Sequence, residues 1–410
     1  MDNRTRFNDF AERRFRLAGR DMLPAIEHFM GPFDSLPRPA DGRPVVGFSH
    51  YDYLGLARDP RVLGAAETVM HTHGIGVSAS RIVGGERKLH KELEADLAGF
   101  LGYSACLTLV SGYLTNATVI AHILGARDLL IVDELSHNSI LAGAAGAKAS
   151  KMVFRHNDLA HLDEILREQR GKYRNCLIVV EGLYSMDGDV PDLPAILDLK
   201  ERHGCWLLVD EAHSLGVLGE TGRGISEYFG TDPERIDLLI GTLSKALVTC
   251  GGFVAGGQVV MDWFRYTLPG FVFSVGLPSP VAAGAHEALR IMRAEPERVA
   301  RLRANSEFAV SKARELGLDP GPAIGRGVIP LLFEDVPATV AAATTMLAAG
   351  YYCPPIVQVG VPRDLPRLRM FLSAAHTRDQ ITGALEAAAA SREDMAPRDE
   401  MVPAAWRMSA

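Results

Sequence analysis

Three short apolar runs constrain this chain more than any other feature: CLIVVEG (Cys176–Gly182), CWLLVDEAH (Cys205–His213) and LLIGTLSK (Leu238–Lys245). Val, Ile and Leu follow one another there instead of alternating with polar residues, the pattern of strands buried on both faces of a parallel sheet. Roughly thirty residues separate neighbouring runs, enough for the crossover helix that parallel strands require. Each run also stops on polar side chains. In open α/β sheets ligands bind beyond the carboxyl ends of the strands, which is where Asp210, His213, Thr242 and Lys245 then fall.

The rest of the chain fits a large globular protein. Its 410 residues are 47% hydrophobic and 23% charged, enough for one large core and a smaller second domain. The net charge of −7 provides no global basic field for nucleic acid or an anionic membrane. Arg13, Arg14 and Arg16 form a local basic cluster that reads as a solvated helix face. Five cysteines are dispersed with no CxxC pair, which suggests reduced thiols in a cytoplasmic protein and neither a disulfide framework nor a zinc site. The first twenty residues lack the apolar core of a signal peptide, and no stretch has the length of a membrane span.

Four segments are expected. Residues 1–45 read as a helix and a Pro/Gly-rich connection, and 46–285 as a doubly wound α/β domain of alternating strands and helices. Residues 286–390 read as a smaller C-terminal domain, entered through a helical run from Val281 to about Leu316. It contains strands at GVIPLLFED and around RLRMFLSAAHT. The Met/Pro/Ala-rich tail, 391–410, is expected to be loosely ordered. HKELEADLAGFLG (His90–Gly102) is amphipathic, with Leu93, Leu97 and Leu101 on one face.

The strand ends point to one cofactor. Lys245, in GTLSKA, can form a Schiff base with an aldehyde if its amine deprotonates readily. Alone it would read as a surface lysine, but it does not stand alone. Asp210 follows CWLLV directly, and a buried carboxylate needs a cationic partner. A pyridinium N–H would supply one, and His213 would then reach the phenolic oxygen. The other reading of this pair is a turn-capping aspartate and a core histidine. Thr242 and Ser244 offer hydroxyls to a phosphate. Ser111-Gly112-Tyr113 reads as a turn entering a helix, whose free N–H groups favour an anion. His137, beyond the run LLIVD, is a candidate to stack on an aromatic ring. An acid, an imidazole, hydroxyls and a lysine at neighbouring strand ends together make a pyridoxal 5′-phosphate (PLP) site.

The chain resembles the α-oxoamine synthases, fold-type I PLP enzymes that condense an amino acid with an acyl thioester. The likeness runs from YDYLGL (Tyr51–Leu56) to RLRMFLSAAHT (Arg367–Thr377). It passes through GVSASRIVGGERKLHKELE, SGYLTNA, DELSHNSI, EGLYSMDGD, VDEAHSLGVLGETGRG, GTLSKAL and FVFSVGLP. The resemblance implies a PLP-dependent transferase fold of type I, a large doubly wound, mostly parallel sheet with a smaller α/β domain. It implies that Lys245 carries the cofactor, that Asp210 pairs with its ring nitrogen and that His213 contacts its phenolic oxygen. It further implies that His137 stacks on the ring with Ser185 beside it. Gly112, Tyr113 and Thr242 would bind the phosphate, with Ser274 reaching it from a partner subunit of a homodimer. Arg369 would grip the amino-acid carboxylate.

Two departures stand out. Val248 occupies a position where many members have glycine, and a branched residue there is expected to stiffen the loop and narrow the approach to the cofactor. The usual Arg-Pro-Pro-Thr element reads Cys353-Pro-Pro-Ile356, which removes two polar groups used near the substrate and argues against a straightforward 8-amino-7-oxononanoate synthase. The expected activity is a decarboxylative condensation of an α-amino acid with an acyl thioester of coenzyme A or an acyl carrier protein, with a long or polyketide acyl chain in view. The competing readings are an aminotransferase on the same fold and a catalytically silent partner subunit.

Overall fold

The computed structural model describes residues 3–17, 26, 29, 33–36, 42, 44–357 and 366–391. The expectation of a loosely ordered tail therefore lies outside the described residues, apart from Ser391. Most of the connection before residue 45 does so too.

The three apolar runs form neighbouring strands of one seven-stranded sheet. Its members are β2 (Ala105–Leu109), β3 (Leu129–Asp133), β4 (Ser150–Phe154), β5 (Cys176–Glu181), β6 (Trp206–Asp210), β7 (Leu238–Thr242) and β8 (Gly252–Gly256), and β1 (Val46–Gly47) lies apart from it. The order is β2-β8-β7-β6-β5-β3-β4, with β8 the one antiparallel member. Both faces are covered, which explains the unbroken apolar sequence. Leu130, Val132, Leu177, Val179 and Leu208 face the helices Gly112–Ile123 and Gln258–Thr267. Ile131, Ile178, Val180, Leu207 and Val209 face Lys88–Leu101 and Leu193–His203. Alternate residues of one strand thus enter two cores. The helix expected at His90–Gly102 spans Lys88–Leu101 and ends on Gly102 in the left-handed conformation.

The later part of the chain builds an antiparallel sheet from β9 (Val328–Leu332), β11 (Pro355–Ile356) and β12 (Arg367–Phe371), in the order β11-β12-β9. β10 (Tyr351–Tyr352) pairs instead with β1, tying the start of the described core to the second half of the chain. Along β12 the side chains alternate. Leu368 and Met370 enter the core, while Arg367, Arg369 and Phe371 share the opposite face. The helical run from Val281 is two helices, Ser279–Ala294 and Glu297–Glu315. It breaks before Pro296 because the residue ahead of a proline is pushed out of the helical region, and Glu295 has φ −124° and ψ 61°. A boundary at 285/286 falls inside the first of these helices. That helix packs on Pro60–His73 and Lys88–Leu101.

All five cysteines are free; Cys106, Cys176, Cys205 and Cys353 are buried and Cys250 is exposed. Among the described residues no helix is long and apolar enough to cross a membrane, and no side-chain cluster is suited to a metal ion.

Candidate active site

Parallel strands align their carboxyl ends, so β5, β6 and β7 deliver Glu181, Asp210 and Thr242 to one rim of the sheet. Above that rim is a cavity of about 550 Å³. Ser111, Gly112, Tyr113, His137, Ser185, Asp210, His213, Thr242, Ser244, Lys245 and Arg369 all line it. Of the residues expected to hold cofactor or amino acid, Ser274 is the one not in its wall. It sits between the exposed side chains of Phe273 and Val275.

The base of the cavity is built around Asp210. Its Oδ2 accepts from Asn116 Nδ2 at 2.6 Å, and its Oδ1 accepts from the Ala212 N–H at 2.9 Å. It is buried and, among the described residues, forms no ion pair. A buried carboxylate held by two neutral donors still lacks a counter-charge. Lys245 lines the same cavity, its Nζ 5.5 Å from the centre of the Tyr51 ring. Burial lowers its pKa from the usual lysine value to about 8, although Asp210 and Glu181 oppose the shift.

Both histidines present a defined nitrogen. The Tyr53 hydroxyl lies 2.7 Å from His213 Nδ1. Tyr53 is fully buried and has no other acceptor among the described residues, so its hydroxyl donates and the proton of His213 resides on Nε2. Burial, followed by the positive charges of Lys245 and Arg369, holds the His213 pKa well below the ordinary imidazole value. His137 caps the helix Asn138–Gly146, its Nδ1 accepting from the Ser139 N–H at 3.2 Å, which again leaves the proton on Nε2. Its own backbone N–H donates to Glu181 Oε1 at 2.6 Å. Burial, and then repulsion from Asp210, pushes the Glu181 carboxyl up to about 8.

At the other end, the helix Gly112–Ile123 begins against the β7–β8 loop. Ser111 caps it, its hydroxyl accepting from the Leu114 N–H at 3.3 Å. A Cβ on Gly112 would come within 2.9 Å of Thr242 Oγ1, so only glycine brings this helix start so close to the loop. Thr242 Oγ1 accepts from the Ser244 N–H at 3.1 Å and lies 2.9 Å from the Gly251 carbonyl, to which it donates. Helix N–H groups and hydroxyls gather here as they do around bound anions. Opposite stands Arg369 of β12. Its Nη1 donates to the Ser185 carbonyl at 3.0 Å and to Met186 Sδ at 2.8 Å, and its guanidinium carbon lies 4.7 Å from the Phe371 ring centre. Its Nε is buried with no hydrogen-bond partner.

Sequence reasoning missed Asn116, Tyr53 and Glu181. Asn116 is four residues beyond Gly112 on the same helix face, and Glu181 is the acid that ends the first apolar run. Both carried a signal of place, but no signal of partner. Val248 is not in the cavity wall. Its side chain packs against the main core, so it does not narrow the approach to Lys245. Of the Cys353–Ile356 element, Pro355 and Ile356 pair with Leu368 and Arg367, edging the strand that carries Arg369.

The model for the family "Aminotransferase class I and II" matches residues 43–387. The chain is 38% identical over 347 residues to the 8-amino-7-oxononanoate synthase of Symbiobacterium thermophilum, covering 85% of this chain and 88% of the relative. With the putative 8-amino-7-oxononanoate synthase of Gloeobacter violaceus the identity is 40% over the same shares. The chain belongs to the α-oxoamine synthase family. The serine palmitoyltransferase of Sphingomonas wittichii superposes with a TM-score of 0.87 at 28% identity, over 96% of this chain and 98% of that one. This α-oxoamine synthase is a PLP-dependent acyltransferase.

The residues present fit PLP. Asp210 lacks the cation that a pyridinium N–H would provide, and bare Gly112 leaves room for a phosphate at a helix start beside Thr242. Lys245 has an amine that burial has made easier to deprotonate.

Proposed function

We propose that this α-oxoamine synthase condenses an α-amino acid with an acyl thioester, releasing carbon dioxide and the free thiol and leaving an α-amino ketone. One observation carries the reading. Arg369 faces the cavity of Lys245 and Asp210 with a buried, unpartnered Nε, a site for a carboxylate that two N–H groups can hold side by side. The product named by the curated relatives supports it, since 8-amino-7-oxononanoate has its amino group on the carbon beside its ketone.

In this mechanism Lys245 would hold the cofactor. Asp210, its two oxygens fixed by Asn116 and Ala212, would hold the ring N–H. His213 would donate from Nε2 towards the cofactor's phenolic oxygen, and the His137 ring would pack against the cofactor. Ser185 would lie beside it, and Gly112, Tyr113, Thr242 and Ser244 would hold its phosphate. Bound PLP withdraws electrons from the α-carbon of an amino acid joined to it. Arg369 would orient the carboxylate, and the Lys245 amine would take the α-proton. The α-carbon would then bond to the acyl carbon as the thiolate leaves, the thiolate taking its proton from solvent. The carboxylate departs as carbon dioxide, and Lys245 returns a proton to the α-carbon.

The likeness to serine palmitoyltransferase, with YDYLGL, SASRIVGGER and FSVGLP, supports a long-chain or polyketide acyl thioester as donor, with coenzyme A or a carrier protein as its thiol. The working form in this reading is a cytoplasmic homodimer. The test is an amino acid labelled in its carboxyl carbon, followed for carbon dioxide and free thiol. One-for-one release supports the reading. A keto acid that keeps the label would mean transamination, and thiol release with the label in the product would mean acyl transfer without decarboxylation. Either result overturns it.

A further inference from the structure

Behind the cavity one imidazole joins three strand ends. His156 follows β4. Its Nδ1 lies 2.8 Å from Asp133 Oδ1 at the end of β3, and its Nε2 lies 2.8 Å from Asp189 Oδ2 beyond β5. Carboxylates only accept, so both ring nitrogens carry hydrogen and the ring is an imidazolium. Burial opposes that charge, but the two carboxylates outweigh it and raise the pKa to about 10. Asp133 is fully buried and also accepts from the Leu135 N–H at 2.8 Å and the Asn157 N–H at 3.1 Å. Asn157 Nδ2 donates to Asp189 Oδ2 at 2.8 Å. The His156 ring meets Tyr184 edge-on, with centroids 4.5 Å apart.

The loop between Tyr184 and Asp189 is what this clamp holds. It closes on itself through Tyr184 N–H to the Asp189 carbonyl at 2.9 Å and Gly188 N–H to the Tyr184 carbonyl at 2.9 Å. Its outer edge grips both arginines of β12. Arg369 donates to the Ser185 carbonyl and to Met186 Sδ, and Arg367 donates to the Met186 carbonyl at 3.0 Å and to Asp187 Oδ1 at 2.5 Å. His156 therefore stands at one end of a chain of polar contacts whose other end is the Arg369 guanidinium.

We propose that His156 is a positioning residue for amino-acid binding: by holding Asp189 and Tyr184 it fixes the Ser185–Met186 backbone that orients Arg369. The inference rests on the reading of Arg369 as the carboxylate clamp. His156 is not in the cavity wall, so in this proposal it acts through Arg369 on the amino acid alone.

The experiment measures steady-state KM for the amino acid and for the acyl thioester in the holoenzyme variants His156→Gln, Asp189→Asn, the double variant and Arg369→Ala. A misplaced binding group costs affinity steeply, so each single His156 or Asp189 variant is expected to raise the amino-acid KM about tenfold. The acyl-thioester KM should stay within about twofold, and the double variant should be no worse than the weaker single, because both cut one link. A purely structural role would lower stability without separating the two KM values. The proposal is overturned if both KM values rise together or neither moves in the His156 and Asp189 variants while Arg369→Ala raises the amino-acid KM selectively. If Arg369→Ala itself shows no selectivity, the carboxylate clamp falls first. Should His156→Gln not fold, Asp189→Asn alone makes the same test.

Discussion

Lys245 and His213 are bases that burial keeps close to neutrality, and each lends itself to a direct measurement. In the apoprotein the Lys245 amine has a pKa lowered to about 8, so its neutral, nucleophilic fraction grows as pH rises to that value and levels off above it. PLP added to apoprotein at a series of pH values, then trapped with borohydride, is expected to attach to Lys245 with an inflection near pH 8; an inflection near the ordinary lysine value would refute the effect of burial. Tyr53→Phe deletes the one donor to His213 Nδ1 and leaves a buried acceptor unsatisfied, at a cost of about 1–3 kcal/mol by denaturant titration. Imidazole ¹⁵N spectra should show the Nε2–H tautomer in the parent and a mixture in the variant, and an unchanged spectrum would remove Tyr53 from this role. The residues legible in the sequence were those at strand ends, because an apolar run that stops on a charge announces where it stops. Tyr53 is 160 positions from His213 and Asn116 is 94 from Asp210, and no local pattern records a partner at such a distance.

At the scale of elements, the loop joining β7 to β8 carries a strain that residue types alone do not reveal. Val248 has φ +49°, the left-handed region that a β-branched side chain rarely enters, at a cost of order 1–3 kcal/mol. The turn is closed by Val248 N–H to the Lys245 carbonyl at 2.9 Å and Thr249 N–H to the Leu243 carbonyl at 2.9 Å, so the strained residue stands three positions from the lysine. A glycine at this position would have a physical reason, namely φ. Glycine is ordinarily about 0.5–1 kcal/mol worse than alanine inside regular structure. Here the order should invert. Both substitutions lose the packing of the Val248 side chain, but only Val248→Gly also releases the strain, so it should unfold at a higher temperature than Val248→Ala. The reverse order by calorimetry would show that the turn holds no such strain. The sheet itself was readable because two-sided burial writes itself as consecutive Val, Ile and Leu. The division of the run from Val281 was readable only at Pro296.

For the whole molecule, the segment FVFSVGLP is where the proposed homodimer can be tested. Phe273 is 87% exposed and Val275 56%, flanking Ser274, and the Gly276 N–H donates to the Ala79 carbonyl at 2.9 Å, which sets this segment beside Ile82 and Val83, themselves 45% and 75% exposed. Apolar side chains gathered at the surface in this way mark a contact surface. In the proposed homodimer Phe273 and Val275 are covered, and Ser274 reaches the phosphate site of the partner. Phe273→Glu should then convert a sedimenting dimer to monomer, whereas Ser274→Ala should leave the dimer intact and weaken PLP binding about 10–100-fold, the worth of a hydrogen bond to a charged group. A hybrid dimer decides whether the serine acts across the interface. Pairing a Ser274→Ala subunit with a Lys245→Ala subunit leaves one site with its own Lys245 and an intact serine from its partner if the contribution is in trans, and no complete site if it is in cis. Activity near half that of the parent dimer is expected. Activity no greater than that of a Ser274→Ala dimer diluted by inactive subunits would place Ser274 outside the neighbouring site and leave Phe273 and Val275 as interface alone.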